Sequence, residues 1–248
     1  MLRSRVFLFT AALLPLAAQA PVPSAANIDP AALNVLRAVT NTLKCTNEFS
    51  FRARVSRDRL GTNGQIITYF RDNHVTVRRP DKLYASVDGE HHDVEFFYDG
   101  REATLYEPDQ KLYTSLPAAK TIDSTLDALE KRGIQLPITN FLRGDPYRSL
   151  ADGLTGAYVI GRVNIDGHTF HHLAFTEPDA DWQLWVEPGK TPLPRRVEIV
   201  YKTQPGSPRV SIDLTEWNLS PNVNASLFTF QKPAGAQMIG LLPATQEN

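Results

Sequence analysis

A single cysteine, Cys45, is all that 248 residues carry. No intramolecular disulfide can close, so the fold has to stand on its hydrophobic core. Charge of one sign is also missing: 26 basic against 27 acidic side chains leave a net charge of -1, which excludes a global positive field for nucleic acid or anionic lipid. Beyond residue 20 no apolar run approaches the ~18 residues that a membrane-spanning helix needs. The strings G-x-S-x-G, H-E-x-x-H, G-x-x-x-x-G-K-[ST], C-x-x-C and G-x-G-x-x-G are all absent, and with them the nucleophile elbow, the zinc-protease helix, the phosphate loops and the dithiol. The expectation is a protein that is not an enzyme, with no catalytic residues and no cofactor.

What is present begins with an address. Arg3 and Arg5 precede an apolar stretch over residues 6–18, and Ala18-Gln19-Ala20 supplies a small-residue cleavage frame. A basic start, a short apolar centre and such a frame read as a secretory signal peptide over residues 1–20, cut after Ala20. The expected location is the periplasm. Residues 21–28 read as a flexible leader.

Asp29-Pro30 then opens a helix, with Asp as N-cap and Pro in the first turn. Leu33, Leu36, Thr40 and Leu43 give it a broad apolar face at helical spacing. Cys45 ends that stripe and is expected as a small buried hydrophobe, with intermolecular pairing as the rival reading.

Strand signals follow. Phe49, Phe51, Ala53 and Val55 alternate with Ser50, Arg52, Arg54 and Ser56, the two-residue period of a strand wet on one face. Further strands are expected over 65–70, 74–79, 82–88, 93–98, 102–107 and 111–116, with turns at Asp72-Asn73, Asp99-Gly100 and Pro108-Asp109-Gln110. Ile122, Leu126 and Leu129 mark a helix over 121–132, with Gly133 as its stop. Leu136-Pro137 and Asp145-Pro146 bracket one or two short helices, and strands return from 155 to 219. No β-α-β alternation appears, which excludes doubly wound and barrel arrangements of parallel strands. The fold class expected is α+β: one domain over residues 29–240 with a loose tail over 241–248. Its strongly curved antiparallel sheet, an incomplete β-barrel of roughly 10–11 strands, has helices covering the concave face.

Among the six histidines, His91 lies two residues from Asp93 and four from Glu95. On a strand the first two would stand about 6–7 Å apart, but Glu95 would not reach, so no metal site is expected. The aromatics carry more. Phe96 and Phe97 must face opposite ways, as must Trp182 and Trp185, so either both faces are packed or helices and sheet enclose a cavity for an apolar ligand. Phe96, Phe97, Trp182, Trp185 and Arg195 are the candidate ligand-binding residues. Of the pair Arg195-Arg196, one side chain should point inward, to meet a lipid head group or to pair with Asp181.

Several strings give a resemblance over nearly the whole chain from about Asp29: Tyr98-Asp99-Gly100, Leu136-Pro137, Asp145-Pro146, His172-Leu173-Ala174-Phe175, Asp181-Trp182-Gln183-Leu184-Trp185, Pro192-Leu193-Pro194-Arg195-Arg196, Leu227-Phe228-Thr229-Phe230 and Pro233-Ala234-Gly235. With these the chain resembles an uncharacterised family of predicted periplasmic proteins, a domain of unknown function, whose fold is similar to lipoprotein carriers of the LolA/LolB type. The resemblance implies a half-barrel whose helix-covered concave face binds acyl chains. Two functions follow as expectations. One is a carrier of a lipid, lipoprotein or other apolar molecule, with the 121–152 helices as a movable lid. The other is an envelope interaction or sensing module that binds a protein partner through its sheet surface or an edge such as 111–116.

Overall fold

A computed structural model describes residues 27–132 and 138–240. The expected signal peptide and its cleavage frame, Gly133, Leu136-Pro137 and the 241–248 tail lie outside the described residues. Helix α1 (Pro30–Lys44) starts as its sequence demands: the Asp29 carboxylate accepts from the Ala31 amide at 2.8 Å, and Ala32, Leu36, Val39, Thr40 and Leu43 are fully buried. The buried stripe stops at Leu43. Cys45, two residues beyond Leu43 and the C-cap of the helix, is exposed, which corrects the buried-hydrophobe reading.

All strands among the described residues belong to one sheet. The first half of the chain forms a meander of β2 (Glu48–Leu60), β3 (Ile66–Arg78), β4 (Lys82–Gly89), β5 (Val94–Tyr98), β6 (Glu102–Glu107) and β7 (Leu112–Pro117). The second half forms another of β8 (Gly156–Ile165), β9 (His168–Thr176), β10 (Ala180–Glu187), β11 (Leu193–Tyr201) and β12 (Arg209–Asn218). Strand β12 pairs with β2 and joins the two meanders edge to edge. Two short strands, β1 (Asn27–Ile28) beside β8 and β13 (Gln237–Met238) beside β7, complete a 13-stranded curved sheet that does not close. These two pair parallel, so the sheet is mixed and larger than the expected antiparallel one, and the end of the leader is a strand. The Asp72-Asn73 turn is also corrected. Both residues sit inside β3, opposite Arg54 and Ala53, because pairing along thirteen positions outweighs local turn preference.

Topology dictates what covers each face. Strand β7 and strand β8 lie toward opposite edges of the sheet, so the connection between them must cross a face. It does so as α2 (Ile122–Glu130), α3 (Thr139–Leu142) and α4 (Pro146–Ala151). Helix α1 starts beside β8, packs on α4 and α3, and delivers the chain to mid-sheet β2. After β12, again mid-sheet, residues 219–236 run to the β7 edge across the other face, through a short 3-10 turn at Ala225–Phe228. Helices therefore line the concave face, and an irregular strap covers part of the convex one.

Candidate functional site

The concave face of β2–β6 reads as a ladder of rungs, and exposure rises from one rung to the next. Phe49, Val77, Leu83, Tyr98 and Ala103 pair across the sheet in the lowest rung, all buried beneath the helices. In the next, Phe51 and Val75 are buried, but Ala85 and Phe96 are half-buried and Leu105 is 41% exposed. Above them come Ala53, Asn73, Val87 and Val94, with only Ala53 buried. Val55, Arg71 and Gly89 form the top rung, where Arg71 is exposed. The upper half of this face is thus a shallow apolar groove. It holds one notable polar atom: Asn73 Oδ1 is buried and has no hydrogen-bond partner among the described residues, an acceptor whose desolvation goes uncompensated.

The helices plug the lower half and do not behave as a cheap lid. Ile122, Leu126, Phe141, Leu142 and Leu150 are each at most 8% exposed, and burying five such side chains is worth roughly 8–15 kcal/mol. Polar contacts add to this. The Tyr98 hydroxyl donates to the Ala119 carbonyl at 2.7 Å, and the Ile122 amide donates to Pro80 O at 2.8 Å. Arg143 bridges Asp127 at 2.6 Å and Glu130 at 2.7 Å, and Lys44 meets Asp145 at 2.9 Å. Arg79 reaches under the insertion to the Leu142 carbonyl at 2.8 Å. Burial lowers its pKa, opposed by Asp123. Opening the insertion would have to expose all five, more than the few apolar contacts of a segment that opens cheaply, so the burial favours a plug over the movable lid expected from sequence.

The five sequence-chosen residues do not converge. Phe96 stands on the groove floor. Trp182 is also concave but buried, stacked on Phe175 at 3.9 Å with its indole donating to Glu177 at 2.8 Å. Burial pushes the Glu177 carboxyl up, against that hydrogen bond. Phe97 faces the convex side, where Phe230 of the strap packs on it at 5.5 Å and on Tyr106 and Tyr113 at 5.3 and 5.0 Å. Trp185 is convex as well, stacked on His172 at 4.2 Å. Arg195 sits where the β10–β11 register shifts, 3.3 Å from Leu214 O and 3.8 Å from Asp213. Asp213 also holds Arg196 at 3.1 Å, whereas Asp181 pairs with Lys202 at 2.8 Å. The expected Arg–Asp181 pair is therefore replaced, because Asp213 is the direct cross-strand neighbour of Arg196.

The strap was missed by sequence reasoning, although the alternation in Leu227-Phe228-Thr229-Phe230 was its signal. Beneath it lies a cavity of about 300 Å³, lined by Tyr84, Glu95, Phe97, Tyr106 and Phe230. There the Tyr84 hydroxyl donates to Glu95 at 2.9 Å, and burial together with that carboxylate pushes its pKa up to about 12. A second cavity of about 240 Å³ lies between α1 and the lower ends of β9 and β10, lined by Val35, Ala38, His171, Val186 and Pro188. Both sit at or below the ~300 Å³ floor of ordinary ligand pockets. The strap also supplies β13, which takes Leu112 and Tyr113, so part of the 111–116 edge offered for a partner strand is already occupied.

The histidine cluster disperses. Strand β5 starts only at Val94, leaving His91 and Asp93 in a bend. Asp93 accepts from the Gly89 amide at 3.2 Å, His91 lies against Tyr69 at 5.4 Å, and His92 meets Glu107 at 3.0 Å. Among the described residues no three His, Cys, Asp or Glu side chains are grouped to hold a metal.

Several solved structures are similar to this chain. The lipoprotein LppX of Mycobacterium tuberculosis is similar with a TM-score of 0.50 at 17% identity, over 79% of this chain and 100% of that one. LprF of Mycobacterium bovis is similar at 0.48 and 17%, over 85% and 100%. A LolA superfamily protein of Nitrosomonas europaea is similar at 0.39 and 12%, over 80% and 97%. At 17% identity the likeness to LppX speaks for the fold alone. No curated protein matches the chain. Residues 32–242, by contrast, match a family model, and the chain belongs to that family, the predicted periplasmic proteins DUF2092.

Proposed function

We propose that this is a non-catalytic periplasmic protein, exported by its N-terminal signal peptide, that holds an apolar ligand in the upper groove of the concave face. One observation carries the reading: a contiguous apolar surface (Val55, Ala85, Val87, Val94, Phe96, Leu105) is left half-exposed or exposed on the concave face above the helices. A ligand with an apolar chain would cover it. Of the five residues chosen from sequence, Phe96 stays in this site as a floor contact. The groove is open, so a bound chain buries only about half its surface. A chain of about sixteen carbons then gains about 6 kcal/mol, which sets binding in the micromolar range or weaker.

The test is native mass spectrometry of protein purified gently from a periplasmic fraction, followed by titration with cis-parinaric acid. The expected outcome is a lipid adduct lost on denaturation and saturable probe binding. Val87→Asp, at a half-exposed position, should abolish both without lowering the melting temperature. Probe binding equal in wild type and Val87→Asp would sink the groove.

A second reading has its own observation. Strand β1 pairs only with Gly156 and Ala157, leaving the rest of the β8 edge unpaired among the described residues. Tyr158, Val159 and Ile160 there are 37%, 39% and 56% exposed. Such an edge accepts a partner strand, although the register shift between Val159 and Gly161 interrupts it. A crosslinker placed at Ile160 that recovers one protein reproducibly supports this module, and recovering none argues against it.

A further inference from the structure

Strands β2 and β3 outrun their neighbours. Pairing of β2 with β12 ends at Arg57, and pairing of β3 with β4 ends at Arg71. Beyond those points 58–60 pair only with 66–68 among the described residues, a two-stranded ribbon of about 10 Å, with Gly206 of the β11–β12 connection beside Leu60. It stands at the end of the sheet where the concave groove opens.

The ribbon's chemistry is unusual for an isolated hairpin. Leu60, Ile66, Ile67 and Phe70 are 45%, 49%, 40% and 53% exposed, four of the ten exposed large apolar side chains among the described residues. The alternation places Leu60, Ile66 and Phe70 on one face and Ile67 with Tyr69 on the other, so the ribbon is apolar on both faces below a polar turn of Thr62, Asn63 and Gln65. A flat protein interface would use one face; immersion uses both. Residues 60–70 contain no charged side chain. Arginines follow at once on either side, Arg59 before and Arg71 after, with Arg57 one rung below.

These three arginines share the concave face, close enough to oppose one another: burial lowers the Arg71 pKa, and the charges of Arg59 and then Arg57 lower it further. Arg57 and Arg71 have no ion-pair or hydrogen-bond partner among the described residues. Of the acids nearby, Asp72 is ion-paired with Arg54 at 3.1 Å, while Asp58 and Glu90 accept from neutral donors, the Thr68 hydroxyl at 2.7 Å and the Phe70 amide at 3.0 Å, and keep their charge. The whole-chain charge of -1 conceals this local collar.

We propose that the β2–β3 tip docks the protein on an anionic lipid bilayer, with Leu60, Ile66, Ile67 and Phe70 immersed at the interface and Arg57 and Arg71 against headgroup phosphates. Apolar immersion and cationic contact are the two signals that together hold a protein reversibly at a membrane. The proposal does not depend on whether the groove holds a ligand.

The test is flotation of the chain from residue 21 with two kinds of vesicle: phosphatidylcholine alone, and phosphatidylcholine with about one third phosphatidylglycerol. Binding is expected on the anionic vesicles only, weakening as salt rises. Arg57→Gln/Arg71→Gln should lower partitioning about 25-fold, at about fivefold per arginine. Ile66→Ser/Phe70→Ser should lower it at least as far while the melting temperature holds, all four positions being exposed. Phe70→Trp should show a blue shift in emission with anionic vesicles. Absence of binding, equal binding to neutral vesicles, or arginine variants that bind as wild type would overturn the proposal. So would self-association, in analytical ultracentrifugation, that the Ile66→Ser/Phe70→Ser change abolishes without any vesicle binding, because the tip would then join two copies of the chain.

Discussion

Phe141→Ala distinguishes a plug from a lid. Phe141 is 2% exposed, in α3, within the cluster that joins the helices to the sheet. Removing a buried phenyl ring costs about 3–5 kcal/mol through lost transfer energy and the cavity left behind. If the insertion is a part of the core, that loss is felt by the whole cooperative unit. The melting temperature should then fall by roughly 6–20 °C, and the urea midpoint by about 2 M. Hydrogen exchange followed by mass spectrometry localises the effect. Amides of α3 and α4 and amides of the central β2–β3 ladder should lose protection together. The opposite pattern is equally definite: faster exchange confined to residues 138–151, with an unchanged urea midpoint, would show that the insertion opens by itself. That result would refute the argument from its five buried side chains and restore a lid over the lower half of the concave face.

Two further predictions concern single side chains. Because Cys45 caps α1 at the surface, its thiol should react fully with Ellman's reagent without denaturant; protection until unfolding would contradict its placement. Tyr84 is held protonated to about 12 against an ordinary 10.0, so the folded state keeps a proton that the unfolded chain loses. Its contribution to stability is therefore complete below about pH 10 and declines as pH rises toward 12. Tyr84→Phe should flatten the fall in melting temperature across that window, and an identical alkaline profile in both proteins would refute the Tyr84–Glu95 coupling.

Much of the architecture was legible because it is local. Asp29-Pro30 starts α1, Asp145-Pro146 starts α4 with its carboxylate accepting from the Arg148 amide at 3.2 Å, and Asp99 accepts from the Arg101 and Glu102 amides at 3.0 Å in the turn its Asp-Gly pair announces. Alternation in Val210, Ile212 and Leu214 names the buried face of β12. Each of these is a property of a few adjacent residues, so the linear order is enough to read it. The opposite orientation of Phe96 and Phe97, and of Trp182 and Trp185, follows from the pleat in the same way.

Tertiary structure decided everything that depends on which segments meet. That the strap, and no helix, covers Phe97 follows from β12 ending mid-sheet while β13 lies at the far edge. Alternation cannot express that relation. Asp72-Asn73 carries a turn signal that a long ladder with β2 overrules. Asp213 takes Arg196 because β11 pairs with β12 in that register; nothing near Arg196 in sequence distinguishes Asp213 from Asp181. Even the groove is a matter of subtraction, being the part of an apolar face left over after three helices and the core have taken theirs. The sequence alone determined that one face is apolar and that helices exist to cover it. Where the cover stops, and hence where a ligand could lie, depends on contacts between residues more than one hundred positions apart, such as Lys44 with Asp145, which only the folded chain brings together.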